Sequence, residues 1–209
     1  MADRHGYVKR LFVAVDIDDP TREQIASLTD RIREGLKTVR LKADTTDHLP
    51  RMTWVRPDRL HLTLAFFGDA DSAQEQQVLS SLAQPFPIAP FDLAFRGLGF
   101  FPPRGAPRVL WLGISEGLVE LREIHGELQR RLGAHAGPPK GGHYADFHPH
   151  LTLARFRDRA ARPDAAKLAK MDASAGPCRI DRVTLYESRL SPSGPTYTAL
   201  AQGALSSYF

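Results

Sequence analysis

The sequence predicts an α+β fold with antiparallel sheets in two related lobes, helices packed on the outside and a cleft at the centre. Two observations support this. Short runs with the period-two pattern of half-buried strands alternate with segments whose apolar residues recur at helical spacing. In addition, the tetrad His61-Leu62-Thr63-Leu64 recurs as His150-Leu151-Thr152-Leu153 in similar surroundings. Two copies indicate a duplicated lobe rather than a solenoid, which needs three or more units.

The first half of the chain reads as strand, helix, two strands and helix. Leu11–Val15 has the composition of a buried strand, Pro20 marks a helix start, and Asp71 is expected to cap a second helix. In order, the predicted elements are the strand 11–15, a helix from Asp18 to about residue 36, a loop from Arg40 to Met52, the strand 53–55, the first tetrad strand 60–67 and the helix 71–82.

The second half repeats this order after a proline-rich stretch, residues 85–90, that excludes regular helix. The predicted elements are the strand 91–95, a loop over 97–103, the strand 108–112, a helix over 117–132, a loop from Gly133 to Asp146, the second tetrad strand 149–155, a short helix near 164–170, and the strands 179–188 and 196–202.

Size and composition indicate an ordinary globular protein. We expect residues 1–209 to form one bilobal domain, with 42% hydrophobic and 25% charged residues. No run approaches the ~20 apolar residues that span a bilayer, and the first apolar run is too short for a secretory signal. Cys178 is the only cysteine, so we expect a cytoplasmic protein without disulfides. The net charge of +4 permits an anionic partner such as RNA.

The tetrads carry the predicted chemistry. On a strand, His61 and Thr63 share one face, as do His150 and Thr152, while the leucines anchor the other face. Because imidazole titrates near pH 6.5, one histidine can act as general base and the other as general acid. The two hydroxyls can bind phosphate oxygens. This set suits opening of a cyclic phosphodiester and requires neither metal nor cofactor.

A single His-x-Thr is more often a polar pair within a core. Two such pairs without function would need hydrogen-bond partners for all four side chains, which favours the functional interpretation. The remaining histidines are interpreted as bystanders or loop residues: His5, His48, His125, His135, His143 and His148.

The chain resembles the 2H phosphoesterase superfamily, and within it the RNA 2′,3′-cyclic phosphodiesterases, also called 2′-5′ RNA ligase-like proteins. The resemblance implies a bilobal fold and hydrolysis of RNA 2′,3′-cyclic phosphate ends to 2′-phosphomonoesters without a cofactor. Reversible 2′-5′ ligation, with tRNA fragments among the candidate substrates, belongs to the same expectation. The segments that carry it are Arg10–Val15, Trp54–Gly68, Gly97–Pro102, Pro107–Gly113, Phe147–Arg155 and Leu185–Ser188.

The resemblance also implies roles for single residues. His61 matches the family's proton donor and His150 its proton acceptor, and Thr63 and Thr152 match its phosphate-binding hydroxyls. Arg155 matches a basic residue after the second motif. Its period-two position puts it on the face opposite His150, so contact with phosphate would need a strand end or a twist, and a structural ion pair is the alternative.

Two aromatic residues are candidates to stack a terminal base, Phe12 and Phe67, with core packing as the alternative for both. Strand alternation favours Phe67 over Phe66, because residues 61, 63, 65 and 67 share a face. Two departures from the family stand out. The loop from Arg40 to Met52 is long. An arginine common before the second motif is absent, so that its substrate contact would be missing or supplied by Lys140 or His143.

Three other functions remain open. The same fold could act on small cyclic nucleotides, or the chain could bind RNA ends without catalysis, although both motifs are intact. A metal site could use His61, His143, His148 and His150, but no ligand spacing typical of metal sites supports it.

Overall fold

The computed structural model describes residues 8–38, 51–133, 147–157, 168, 170–192 and 194–207. These residues form nine strands. They are β1 (Lys9–Asp16), β2 (Met52–Trp54), β3 (His61–Ala70), β4 (Phe91–Phe101), β5 (Val109–Glu116), β6 (Leu151–Phe156), β7 (Ser174–Ile180), β8 (Arg182–Arg189) and β9 (Thr196–Ala204). One sheet has the order β3-β1-β8-β9 and the other β2-β6-β5-β4-β7, and all pairings within them are antiparallel. The predicted α+β class with two antiparallel sheets is confirmed.

In the described part of the chain, three α-helices pack against these sheets at the predicted places. They are α1 (Asp19–Thr38), α2 (Ser72–Leu82) and α3 (Leu118–Leu132). Asp71 caps α2 as expected, because its side chain accepts from the Gln74 backbone N–H at 2.9 Å while the Gln74 side chain accepts from the Asp71 N–H at 3.0 Å. Within the described ranges, no helix combines the length and the apolar character needed to cross a membrane.

The two sheets are related by the duplication that the tetrads indicate. In the first, the tetrad strand β3 pairs with β1, which precedes α1. In the second, the tetrad strand β6 pairs with β5, which precedes α3. The short strand β2 breaks this symmetry, since it lies directly before β3 in the chain but pairs with β6. The chain thus passes from one sheet to the other just before the first tetrad, which brings the two tetrad strands into contact.

The first tetrad strand contains a β-bulge at the last residue of the tetrad. Thr63 lies opposite Ala14 and Ala65 lies opposite Val13, so Leu64 has no partner on β1. Both Leu64 and Ala65 are buried. A bulge inserts one residue and shifts the alternation of the side chains that follow it, so a period-two interpretation of β3 fails after residue 64.

The second tetrad strand bulges at the equivalent residue. Thr152 lies opposite Trp111 and Ala154 lies opposite Leu110, which leaves Leu153 without a partner on β5. Leu153 and Ala154 are again both buried. The duplication therefore includes this irregularity, and the residues after both tetrads change face together.

Two predicted boundaries were wrong. The stretch 97–103 was expected to be a loop, but β4 continues to Phe101 because Gly97, at φ 81°, supports an irregularity in the pairing between Phe95 and Leu98. The single strand expected over 179–188 is divided into β7 and β8 at Asp181. Apart from residues at their ends, the predicted loops Arg40–Met52 and Gly133–Asp146 and the helix 164–170 lie outside the described residues.

Candidate active site

The two tetrads keep the predicted alternation up to their bulges. Leu62, Leu64, Leu151 and Leu153 are no more than 2% exposed and anchor the strands in the core. The histidines and threonines at 61, 63, 150 and 152 are half-buried on the other face. Each sheet thus offers one imidazole and one hydroxyl where the two tetrad strands meet.

Both histidine rings are held in the same way. His61 Nδ1 lies 2.8 Å from the carbonyl oxygen of Arg59, and His150 Nδ1 lies 2.7 Å from that of His148. A carbonyl oxygen only accepts, so Nδ1 carries a proton in both rings and the lone pair of the neutral ring is on Nε2. Neither Nε2 has a hydrogen-bond partner within the described part of the chain, which leaves this atom of each ring available to a substrate.

The two rings have different charged neighbours. Burial lowers the pKa of both histidines, and Arg155 lowers both further. The carboxylate of Asp16 raises the pKa of His61, whereas His148 and His61 lower that of His150. The charged neighbours therefore favour a protonated His61 and a neutral His150.

Asp16 is fixed beside His61 by the sheet. The two residues are cross-strand partners of β1 and β3. The Asp16 carboxylate accepts hydrogen bonds from Thr184 Oγ1 at 2.8 Å and from the Tyr186 hydroxyl at 2.6 Å. Burial and this carboxylate raise the pKa of Tyr186, so its hydroxyl remains a donor.

Aromatic rings support each imidazole from the side. The His61 ring centroid lies 4.9 Å from that of Phe12 and 5.1 Å, edge to face, from that of Tyr197. The His150 ring lies 4.8 Å from Phe101 and 6.2 Å from Trp111. Trp111 in turn lies against Gly99, where a Cβ would overlap the indole. These contacts limit the rotation of both rings.

Arg155 lies on the cleft face, and the predicted alternation was wrong for it. Because of the bulge at Leu153, Arg155 pairs with Val109, two residues from the partner of Thr152. Side chains two apart on a strand share a face, so Arg155 and Thr152 point the same way. Arg155 is exposed and forms no ion pair with a carboxylate of the described residues.

The two base-stacking candidates are also corrected. Phe12 is only 3% exposed, covered by His61, Tyr186 and Tyr197, and has no free face for a base. Phe67 packs against the hydrophobic core. It follows the bulge at Leu64 and is itself unpaired at a second irregularity, because Phe66 lies opposite Phe12 and Gly68 lies opposite Leu11.

The aromatic ring that reaches the cleft face beyond the first tetrad is Phe66. It is half-buried and lies opposite Phe12 in the pairing of β1 with β3. The Arg10 guanidinium lies 4.9 Å from its ring centroid. Phe66 occupies the position of the first tetrad strand that Arg155 occupies in the second.

Sequence reasoning missed three residues of this region. Asp16 lies one residue beyond the strand predicted over 11–15, and Tyr197 lies in a late strand that no motif marks. His125 was interpreted as a bystander, but its Nδ1 contacts the carbonyl oxygen of Leu64 at 2.9 Å and its ring stacks on Phe147 with centroids 4.1 Å apart. Only the pairing of distant segments reveals these roles.

The described residues do not support the alternative metal site. Among the described residues, no three His, Cys, Asp or Glu side chains are grouped so that they could hold an ion. His143 of the alternative metal set, and Lys140, which was considered as a replacement arginine, lie outside those residues.

Two equivalently anchored histidines, each with a threonine on the same face of a duplicated sheet, define the class of 2H phosphoesterases. The model of the 2′-5′ RNA ligase superfamily matches residues 52–191. The chain is 32% identical over 192 residues to the RNA 2′,3′-cyclic phosphodiesterase of Methanothermobacter thermautotrophicus, which covers 90% of this chain and 95% of that protein. The chain belongs to the 2′-5′ RNA ligase superfamily.

Solved structures show the same fold. TT0787 of Thermus thermophilus matches with a TM-score of 0.69 and 27% identity, over 96% of this chain and 100% of that one. E. coli LigT in complex with 3′-AMP matches with a TM-score of 0.65 and 27% identity, over 95% and 99% of the two chains.

Proposed function

We propose that this protein hydrolyses RNA 2′,3′-cyclic phosphate ends to 2′-phosphomonoesters, with His61 as general acid and His150 as general base. The observation that carries the proposal is the identical anchoring of the two rings, each with Nδ1 on a backbone carbonyl and Nε2 unpaired within the described residues. The name of the Methanothermobacter relative supports the reaction, and the 3′-AMP complex of LigT supports a nucleotide as ligand.

The reaction needs two proton transfers and one displacement at phosphorus. Nε2 of neutral His150 takes a proton from water as the water oxygen attacks phosphorus. The bond between phosphorus and the ribose 3′-oxygen breaks, and its electron pair remains on that oxygen. Nε2 of protonated His61 gives this oxygen its proton, which leaves a 2′-phosphate and a free 3′-hydroxyl. Solvent then restores both protonation states.

The remaining residues of the site bind the phosphate. The hydroxyls of Thr63 and Thr152 can donate to the non-bridging oxygens, one from each lobe, and Arg155 can stabilise the negative charge that grows on them. All of these groups belong to the chain itself. The proposed mechanism therefore uses no metal or cofactor.

The charged neighbours support the assignment of acid and base. Arg155 lowers the pKa of both histidines, but Asp16 raises that of His61 and His148 lowers that of His150. These neighbours therefore stabilise the protonated form of His61 more than the protonated form of His150.

RNA is the proposed substrate class, with tRNA fragments as candidates. Replacing water by a 5′-hydroxyl in the same step would form a 2′-5′ linkage, which is the ligation implied by the family. The proposed location is the cytoplasm, and the proposed unit is the single domain 1–209 without an obligate protein partner.

The test is incubation of the protein with a short RNA that ends in a 2′,3′-cyclic phosphate, with EDTA in a parallel sample. We expect conversion to a 2′-phosphate end at the same rate in both. A 3′-phosphate product, or activity lost with EDTA and restored by zinc or manganese, would contradict the proposal. Cyclic adenosine 2′,3′-monophosphate serves as the small substrate, and faster turnover of it than of the RNA would favour a small cyclic nucleotide instead.

A further inference from the structure

The proposed mechanism fixes which lobe faces the nucleoside. The leaving oxygen belongs to the ribose, so the acid that protonates it must lie on the ribose side of the phosphorus, and the base must lie on the side where water enters. With His61 as acid, the ribose and the rest of the RNA strand lie along the β3-β1-β8-β9 sheet.

Two arginines of this lobe lie near the aromatic residues that surround His61. Arg10 lies on β1 with its guanidinium 4.9 Å from the ring centroid of Phe66. Arg59 comes two residues before His61, and its guanidinium lies over Gly194, where the absence of a Cβ allows the close approach. Gly194 has φ 103° in the turn between β8 and β9, a conformation that favours glycine.

Tyr197 marks where these groups converge. Its ring lies edge to face against His61 at 5.1 Å. Burial raises the pKa of its hydroxyl, while Arg155, Arg59 and Arg10 all lower it. The Tyr197 ring also lies 5.1 Å from that of Phe12, the cross-strand partner of the Phe66 that Arg10 covers. Gly194, which Arg59 covers, is three residues before Tyr197. Both arginines therefore lie near the ring that contacts the proposed acid.

Neither of these two arginines forms an ion pair with a carboxylate of the described residues. Nine ion pairs are formed by the described residues, and arginines in eight of them are neutralised by a carboxylate. Arg10 and Arg59 are in none of them. An arginine without a carboxylate partner retains its capacity to bind an external anion, and a guanidinium is well suited to phosphate.

We infer that Arg10 and Arg59 form a second phosphate site, which binds the phosphodiester immediately upstream of the terminal nucleotide. This inference rests on the proposed function, because the acid assignment places the ribose on their lobe. The next phosphate of the strand is attached at the 5′ position of that same ribose, so it lies on the far side of the nucleoside from the cyclic phosphate. The site would make the protein prefer an RNA end over a free cyclic nucleotide.

The test compares two dinucleotides that end in a 2′,3′-cyclic phosphate. One has a natural internal phosphodiester, and the other has a methylphosphonate, which keeps the shape and removes the charge. For the wild-type protein we expect the methylphosphonate to raise KM roughly 10-fold, the lower end for a hydrogen bond to a charged group. In the double variant Arg10→Gln/Arg59→Gln, the two dinucleotides should have the same KM, because the partner of the charge is gone.

The double variant Arg31→Gln/Arg122→Gln provides the matched control. Arg31 and Arg122 are exposed on α1 and α3, and their loss changes the net charge by the same amount as Arg10→Gln/Arg59→Gln, so the control should discriminate between the dinucleotides as the wild type does. If Arg10→Gln/Arg59→Gln still discriminates between the dinucleotides as strongly as the wild type, the inference is overturned.

Binding separates this inference from the reaction itself. Dinucleotides that already carry a 2′-phosphate end and either internal linkage are titrated by calorimetry. A preference for the natural linkage that disappears in the double variant supports the second site even if no turnover occurs, in which case only the proposed function fails. Equal affinity of the wild type for both linkages contradicts the second site whether or not the protein is an enzyme.

Discussion

The Nδ1–H of His125 donates a hydrogen bond to the carbonyl oxygen of Leu64, with 2.9 Å between the two atoms. Leu64 is the bulged residue of the first tetrad. The bulged residue of the second tetrad, Leu153, has its carbonyl oxygen bound by the backbone N–H of Val55 at 2.8 Å. The duplicated bulges thus have different donors, a side chain from α3 in one lobe and the backbone that follows β2 in the other.

His125→Phe should destabilise the protein. A phenyl ring can keep the stack on Phe147 but leaves the Leu64 carbonyl without its donor, at a cost of about 1–3 kcal/mol in the free energy of unfolding. His125→Asn should lose less stability through this bond, since its side-chain amide can donate to the same oxygen, although it loses the stack. Urea denaturation measures both, and a His125→Phe protein as stable as the wild type would show that the hydrogen bond is not needed.

Asp16→Asn should lower the pKa of His61. The Asp16 carboxylate raises that pKa, so its neutral amide removes the effect and His61 loses its proton at lower pH. If His61 is the acid, the alkaline limb of the rate profile moves in the same direction. NMR titration of the His61 ring gives the pKa directly.

Tyr186→Phe is the control for Asp16→Asn, because it removes a hydrogen bond to the same carboxylate and leaves its charge. Its effect on the His61 titration should be smaller. An unchanged His61 pKa in Asp16→Asn would mean that the carboxylate does not set the protonation of His61.

Arg155→Met should raise the pKa of both His61 and His150, because the guanidinium lowers both. The acidic limb of the rate profile, which reports loss of the base His150, then moves to higher pH. Turnover should fall as well, since the variant loses a charge on the phosphate. Arg155→Lys keeps the positive charge and is expected to retain lowered histidine pKa values, so equal titration curves for the methionine and lysine variants would argue against this electrostatic role.

His61→Ala and His150→Ala should each reduce kcat by ~100- to 10,000-fold, the usual effect of losing a general acid or base. The double variant should be little worse, because the two residues act in one step. Thr63→Ala and Thr152→Ala should lose less, since each removes one hydrogen bond to phosphate. Each single histidine variant should also lose one limb of a bell-shaped pH profile.

Circular dichroism of these variants checks that the fold is retained. Near-normal turnover of a folded His61→Ala or His150→Ala protein on a cyclic-phosphate RNA would exclude the two-histidine mechanism.

Much of this protein was predictable from local sequence. The repeated tetrads marked the two histidines and two threonines as candidates, and their alternation up to Leu64 and Leu153 was as expected. The helices α1 and α3 lie where the apolar spacing placed them, and α2 follows its predicted cap. These features depend on side-chain periodicity within a few residues, and a single sequence contains that information completely.

The faces of Phe66, Phe67 and Arg155 were decided by the tertiary structure. Each lies beyond a bulge, and a bulge depends on the partner strand and on distant donors such as His125 and Val55. The sequence contains one sign of the two bulges. Leu64-Ala65 and Leu153-Ala154 each place two small or apolar residues in succession, which interrupts the alternation of the strand.

The pairing of Asp16 with His61 was also decided only in three dimensions. It depends on the register between β1 and β3, which are separated by α1 and β2 in the chain. Periodicity within one strand determines which side chains share a face, but the register between strands is set by core packing and by hydrogen bonds from other segments. The sequence therefore identified the candidate reacting groups, and the fold determined which charges surround them.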